Sequence, residues 1–163
     1  MATPADGKRL KVINRVVAVI LQIKSGDDFF YTPHAVVRRW LGPEECKGFP
    51  TYGVFTDSGG RVELQGVGGT PNLFDEIFYI NVKGYIHDTE DTVSKLERAL
   101  RDIRKAINED AEDTSTTGSL GQLCDECFFD DSPETDNGYF GMMNMGFFDQ
   151  RIRIRVSGHI GEI

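Results

Sequence analysis

The run Glu76 to His87, EIFYINVKGYIH, alternates with a period of two. Phe78, Ile80, Val82 and Ile86 take one parity, and Tyr79, Asn81, Lys83, Tyr85 and His87 take the other. Successive side chains of a strand point to opposite faces. The run therefore predicts a strand in a sheet with one face buried and one face available. Such a sheet needs an apolar cover, and two segments are patterned to supply it. Leu10, Ile13, Val16, Val17, Ile20 and Leu21 recur at helical spacing from about Lys8 to Lys24, with Val12 and Val19 widening the stripe and Gly26 as the stop. Val93, Leu96, Ala99, Leu100, Ile103, Ala106 and Ile107 do the same from about Asp91 to Asn108, with Asp88 or Asp91 as the cap.

Other β-type stretches complete the sheet. Phe29 to Thr32 reads as a short edge strand ended by Pro33, and Val36, Val37, Trp40 and Leu41 as a half-buried turn or strand. Thr51 to Thr56 and Arg61 to Gln65 flank Asp57-Ser58-Gly59-Gly60, which predicts a hairpin with its tip at those four residues. Cys127 to Phe129 reads as a strand, followed by an acidic turn around Asn137-Gly138. Tyr139 to Phe148 and Gln150 to Val156 then read as one long strand kinked at Gly146. The order predicts an α+β fold: a mainly antiparallel β-sheet with two amphipathic helices packed on one face. Residues 1–163 make one domain. Residues 1–7 are read as a flexible N-terminus, and 109–122, EDAEDTSTTGSLGQ, as a mobile acidic and polar insertion.

Charge narrows the function. Lys and Arg number 18 against 26 Asp and Glu, a formal charge of −8 with a pI near 4.9. A field of that sign repels free nucleic acid. The N-terminal stretch has charged residues among its apolar ones and predicts neither a signal peptide nor a membrane span. Three cysteines, Cys46, Cys124 and Cys127, do not form a disulfide framework, and a reducing cytoplasm is the expected compartment of synthesis.

Catalytic and metal-binding patterns are sparse. Cys124-x-x-Cys127 lacks a second ligand pair for tetrahedral zinc, and it precedes Phe128-Phe129 rather than opening a helix as a redox pair does. Asp130, Asp131, Glu134 and Asp136 lack the register of a calcium loop and read as a solvated hairpin tip. No GxSxG, phosphate-loop or HExxH motif is present, GVGGT has no following lysine, and His87 near Asp88 and Asp91 is the one general-base candidate. The expectation is a protein that is not an enzyme and uses neither cofactor nor metal. A small-ligand- or metal-binding α+β domain built on Cys124, Cys127, His87 and the acidic turn is the alternative from another class. A host-side adaptor binding through the Tyr/Arg face is a further one.

The feature left over is QRIRIRVSG, in which Arg151, Arg153 and Arg155 alternate with Ile152, Ile154 and Val156. One face of that strand carries a row of guanidinium groups. Tyr79, Lys83 and Tyr85 hold the polar parity of the other clear strand. Tyr and Arg are enriched at interface hot spots, and Arg pairs bidentately with carboxylates. This set predicts a subunit or partner interface, and head-to-tail contacts between unlike patches close into rings.

The element order resembles the tail terminator (tail completion) proteins of long-tailed bacteriophages. The features that carry the resemblance are the helix LKVINRVVAVILQI, the piece DDFFYTP, then GFPTYGVFTDSGG and the strand EIFYINVKGYIHD. The helix DTVSKLERALRDIRKAI follows, and DDSPETDNGYFG runs through to RIRIRVSG; together they span about Lys8 to Ile160. The resemblance implies a virion subunit of the tail or neck, made in the host bacterial cytoplasm. It would form a ring, a hexamer, that caps the tail tube, stops its polymerisation and docks the head–tail connector or stopper. The tail tube protein and the connector would be its partners, with DNA passing through the channel without specific binding. Another neck or connector subunit is the nearest alternative. On this reading Arg151, Arg153 and Arg155 hold a neighbouring subunit or ring, while Asp57, Gly59, Gly60, Gly68 and Gly69 lie in adaptable loops.

Overall fold

The computed structural model describes residues 6–26, 28–67, 70–88, 90–136 and 144–159. It is an α+β fold built on a five-stranded, mostly antiparallel sheet of order β1-β2-β3-β5-β4. The strands are β1 (Ala35–Val37), β2 (Thr51–Val67), β3 (Thr70–His87), β4 (Glu126–Asp136) and β5 (Met145–His159). The helices are α1 (Lys8–Leu21), α2 (Thr92–Glu112) and the short α3 (Leu120–Leu123). β1 runs parallel to β2, and every other neighbouring pair is antiparallel.

The period-two pattern sets the faces. Tyr52 and Val54 of β2, Phe74, Phe78, Ile80, Val82 and Ile86 of β3, and Phe148, Ile152, Ile154 and Val156 of β5 share one parity. They form a single core with the buried faces of α1 and α2. α2 buries Leu96, Ala99, Leu100, Ile103, Ala106 and Ile107 as its spacing predicts, whereas Val93 is exposed. In α1 the stripe is turned: Val12, Val16, Val19 and Ile20 are buried, and Leu10 and Leu21 are 41% and 56% exposed. α1 packs beside α2 on the same face of the sheet, against β1 and β2, and Val12 and Val19 lie at the centre of its buried stripe. The helix ends at Leu21 rather than near Lys24, and Gly26, at φ 100°, serves the turn whose N–H donates to the Phe29 carbonyl.

Two polar side chains inside this core, Asp102 and Gln150, are held by specific partners. Asp102 is 1% exposed, and its Oδ2 accepts from the Phe30 and Tyr31 backbone N–H at 2.8 and 3.0 Å. Gln150 is fully buried, and its Oε1 accepts from Arg104 Nε at 2.8 Å. Burial pushes the Asp102 carboxyl up, against the two N–H donors that favour its charged form.

Four expectations are corrected. Phe29 to Thr32 is not an edge strand: Phe29 makes an isolated bridge to Ser25, and the edge strand is β1. Asp57 to Gly60 is not a hairpin tip. It is an irregularity inside β2, where the register against β3 shifts between Asp57 and Arg61, while the pairing continues to Val67 opposite Thr70. A Cβ on Gly60 would stand 2.5 Å from the Ile77 carbonyl oxygen of β3, so this glycine serves a bulge rather than a turn. Likewise the acidic residues Asp130 and Glu134 lie within β4, on either side of its own register shift against β5. Finally, 109–122 is part of the fold. It holds the last turn of α2 and α3, Ser119 and Leu120 are fully buried, and Asp113 accepts from Ser115 and Thr116 in the connecting turn. The Asn137-Gly138 turn lies outside the described residues.

Candidate functional site

The face of the sheet opposite the helices has two halves. The first half is covered. The connection from β1 to β2, with its 3-10 turn at Pro43–Glu45, folds over it, and Leu41, Tyr85, Met145 and Phe147 make a second small core. Tyr85 is therefore not a surface residue: it is 0% exposed, and its hydroxyl donates to the Leu41 carbonyl at 2.6 Å. Lys83 sits beside it, with Nζ 4.8 Å from the Phe147 ring centre and 5.3 Å from that of Trp40. These two expected interface residues stabilise a loop against the sheet. His87, at the end of β3, stacks on Phe49 with ring centres 5.5 Å apart.

The second half holds the arginines, and there the parity reading is right. Arg151, Arg153 and Arg155 stand on one face of β5, and each is partnered within its own chain. Arg151 lies 3.7 Å over the Tyr79 ring, with ion pairs to Asp57 of β2 at 3.3 Å and Asp130 of β4 at 3.7 Å. Gly59 leaves the room for this guanidinium: a Cβ there would stand 2.5 Å from Arg151 Nη2. Arg153 pairs with Glu126 at 3.2 Å and lies 5.0 Å from the Phe128 ring centre. Arg155 forks onto Asp75 of β3, with Nε–Oδ1 3.0 Å and Nη2–Oδ2 2.8 Å, and reaches Glu126 at 3.2 Å. This bidentate bond holds the Asp75 carboxyl below its ordinary value.

β5 thus ties β2, β3 and β4 together through its guanidinium groups. Exposed pairs of this kind add little to stability and weaken in salt. What they fix is position. Glu126, Phe128 and Asp130 were not identified from sequence as the arginines' neighbours. The signal was present: they alternate with Cys127 and Phe129, and the registers Glu126↔Arg155, Phe128↔Arg153 and Asp130↔Arg151 place both sets on one face.

The other candidates are dispersed. The buried Cys124 lies at the end of α3 with Sγ 2.7 Å from the Leu120 carbonyl, and Cys127 packs against the core from β4. Among the described residues no group of three or more His, Cys, Asp and Glu is placed to hold a metal ion. Among the same residues no helix is long and apolar enough to cross a membrane. Gly68 and Gly69 lie outside the described residues.

Two further surfaces stand out. β2 from Ser58 to Leu64 is exposed throughout, and Val62, Leu64 and Leu73 of β3 are 50%, 55% and 40% exposed. Among the described residues the sheet also ends on both sides in unpaired backbone. β1 covers only Thr51–Gly53 of β2, and β4 pairs on one side alone, with β5. A scan of protein-family models and a search of curated proteins return no match to the chain.

Proposed function

We propose that this chain is a ring-forming structural subunit of the tail terminator kind, capping a phage tail tube and offering its other side to the head–tail connector. It works without a catalytic residue. The observation that carries this reading is the β2 arm of the β2–β3 hairpin beyond the bulge, where Val62 and Leu64 share one face and are 50% and 55% exposed, next to Phe74 and Glu76 of β3, which are buried. Exposed apolar residues clustered on a paired, regular element mark a protein contact surface. The fold agrees with what the resemblance implies. The arginine row enters this reading in a changed role: its partners Asp57, Asp75, Glu126 and Asp130 belong to the same chain, so it braces the face rather than reaching for a neighbour.

The test is direct. Purified protein is examined by light scattering and negative-stain imaging, alone and mixed with tail tubes. Rings, and tubes capped at one end, are the expected result. A strict monomer that leaves tube ends bare overturns the proposal. Rings that bind connector and ignore tubes would assign the chain to the neck instead.

A further inference from the structure

The ring reading leaves open how one copy holds the next, and the two free sheet edges supply an answer that rests on it. An uncovered edge strand is a template for pairing with another chain. Here the edges differ in chemistry. Residues 125–136 of the β4 side, DECFFDDSPETD, carry Asp125, Glu126, Asp130, Asp131, Glu134 and Asp136 and no basic residue. Two such edges repel each other. The β2 edge opens, where β1 stops, into a groove between α1 and β2 lined by Leu10, Ile13, Val37, Val54 and Phe55 together with Arg38 and Arg39. Arg38 reaches Asn14 at 2.5 Å, and Arg39 pairs with Glu45 at 2.7 Å with more than half of its side chain exposed.

We propose that β4 of one copy adds to the free edge of β2 in the next, extending one sheet from subunit to subunit around the ring.

Topology sets the direction. From β2 to β3 to β5 to β4 each step is antiparallel, so β2 and β4 run oppositely. A rotation about an axis along the strands preserves that relation, and the new pair is antiparallel. The same rotation keeps heights along the strands. Read across β5 and β3, Glu126 stands level with Arg61 and Asp130 with Phe55, so 126–130 meets the stretch of β2 that β1 leaves free. The acid-dense end of β4, from Glu134 on, is level with Gly53 and lies toward β1 and the Arg38 and Arg39 that follow it. The contact is heterologous, the type that closes rings.

Hydrogen exchange on the wild-type chain, dilute and assembled, tests this. Amides within 54–64 and 126–130 should both slow on assembly, by about tenfold or more. Arg39→Glu, at an exposed position facing the acid-dense end of β4, should stay folded by circular dichroism and weaken self-association about tenfold or more. Leu21→Glu, exposed on α1, should associate as the wild type does. Assembly in which both edges exchange as fast as in the monomer overturns the joint and leaves the ring standing. Protection of the β2 edge alone overturns β4 as the occupant and points to a strand from tube or connector. A chain monomeric at every concentration and on tubes overturns joint and ring together. The exchange measurement needs no variant, so it decides even if Arg39→Glu fails to fold.

Discussion

Single residues set how closely the strands can come together. Gly84 of β3 faces the core between Tyr52 of β2 and Phe148 of β5, whose ring centres are 6.1 Å apart. A Cβ at Gly84 would stand 2.5 Å from the Phe148 ring and 2.9 Å from that of Tyr52. Both rings are buried and hemmed in. Gly84→Ala is expected to lower stability by about 1–3 kcal/mol, the cost of overpacking a filled core, read as a fall in the urea midpoint. Asp75 gives a prediction of a different sort. Its carboxyl is depressed below the ordinary 3.8, first by the hydrogen bond from Arg155 and then by that charge. A depressed carboxyl contributes stability that is complete above its unfolded value and is lost as pH falls below it. Asp88, Asp91 and Asp113 are depressed by their own donors and act in the same sense. Asp102 and Asp149, raised by burial, act in the opposite one. Asp75→Asn should therefore lose less stability than the wild type when the urea midpoint is followed from pH about 6 down to about 3. Equal losses in the two proteins would refute the pairing.

At the level of elements, one carboxylate joins all three helices. Asp110 of α2 takes both ends of the Arg15 guanidinium of α1, Nε–Oδ2 at 3.1 Å and Nη2–Oδ1 at 2.5 Å, and also accepts from the Leu120 backbone N–H of α3 at 3.0 Å. The pair is largely buried, and it raises the Arg15 pKa further. Asp110→Ala leaves a guanidinium and a backbone donor without partners, a loss of about 1–3 kcal/mol. Because α3 has only four residues, its attachment should fail first: amides of 119–124 should exchange faster in the variant than those of α2. This latch was not legible in sequence. The stretch 109–122 is polar and glycine-containing, and nothing local says that Leu120 finds a core. The long-period elements were legible, because α2 and β3 repeat one spacing over many residues. The glycine pair in β2 was misread for a physical reason. Gly59-Gly60 between two β-type runs is compatible with a turn or a bulge, and only the unbroken partner strand β3 decides between them.

Across the whole molecule, the arginine row shows what a sequence pattern settles and what it leaves open. Alternation placed Arg151, Arg153 and Arg155 on one side of β5, and they are there. Alternation cannot say who answers them, because the answering carboxylates come from β2, β3 and β4, up to 94 positions away in the case of Asp57 and Arg151. The same limit hid Tyr85, whose parity is that of the open face but whose half of the sheet lies under a loop. Three guanidiniums meet four carboxylates, Asp57, Asp75, Glu126 and Asp130, so the row carries one net negative charge in place of three positive ones. What remains is screened over about a Debye length, ~8–10 Å in physiological salt. A stripe that looks cationic on paper is therefore, to any polyanion nearby, a surface that does not grip.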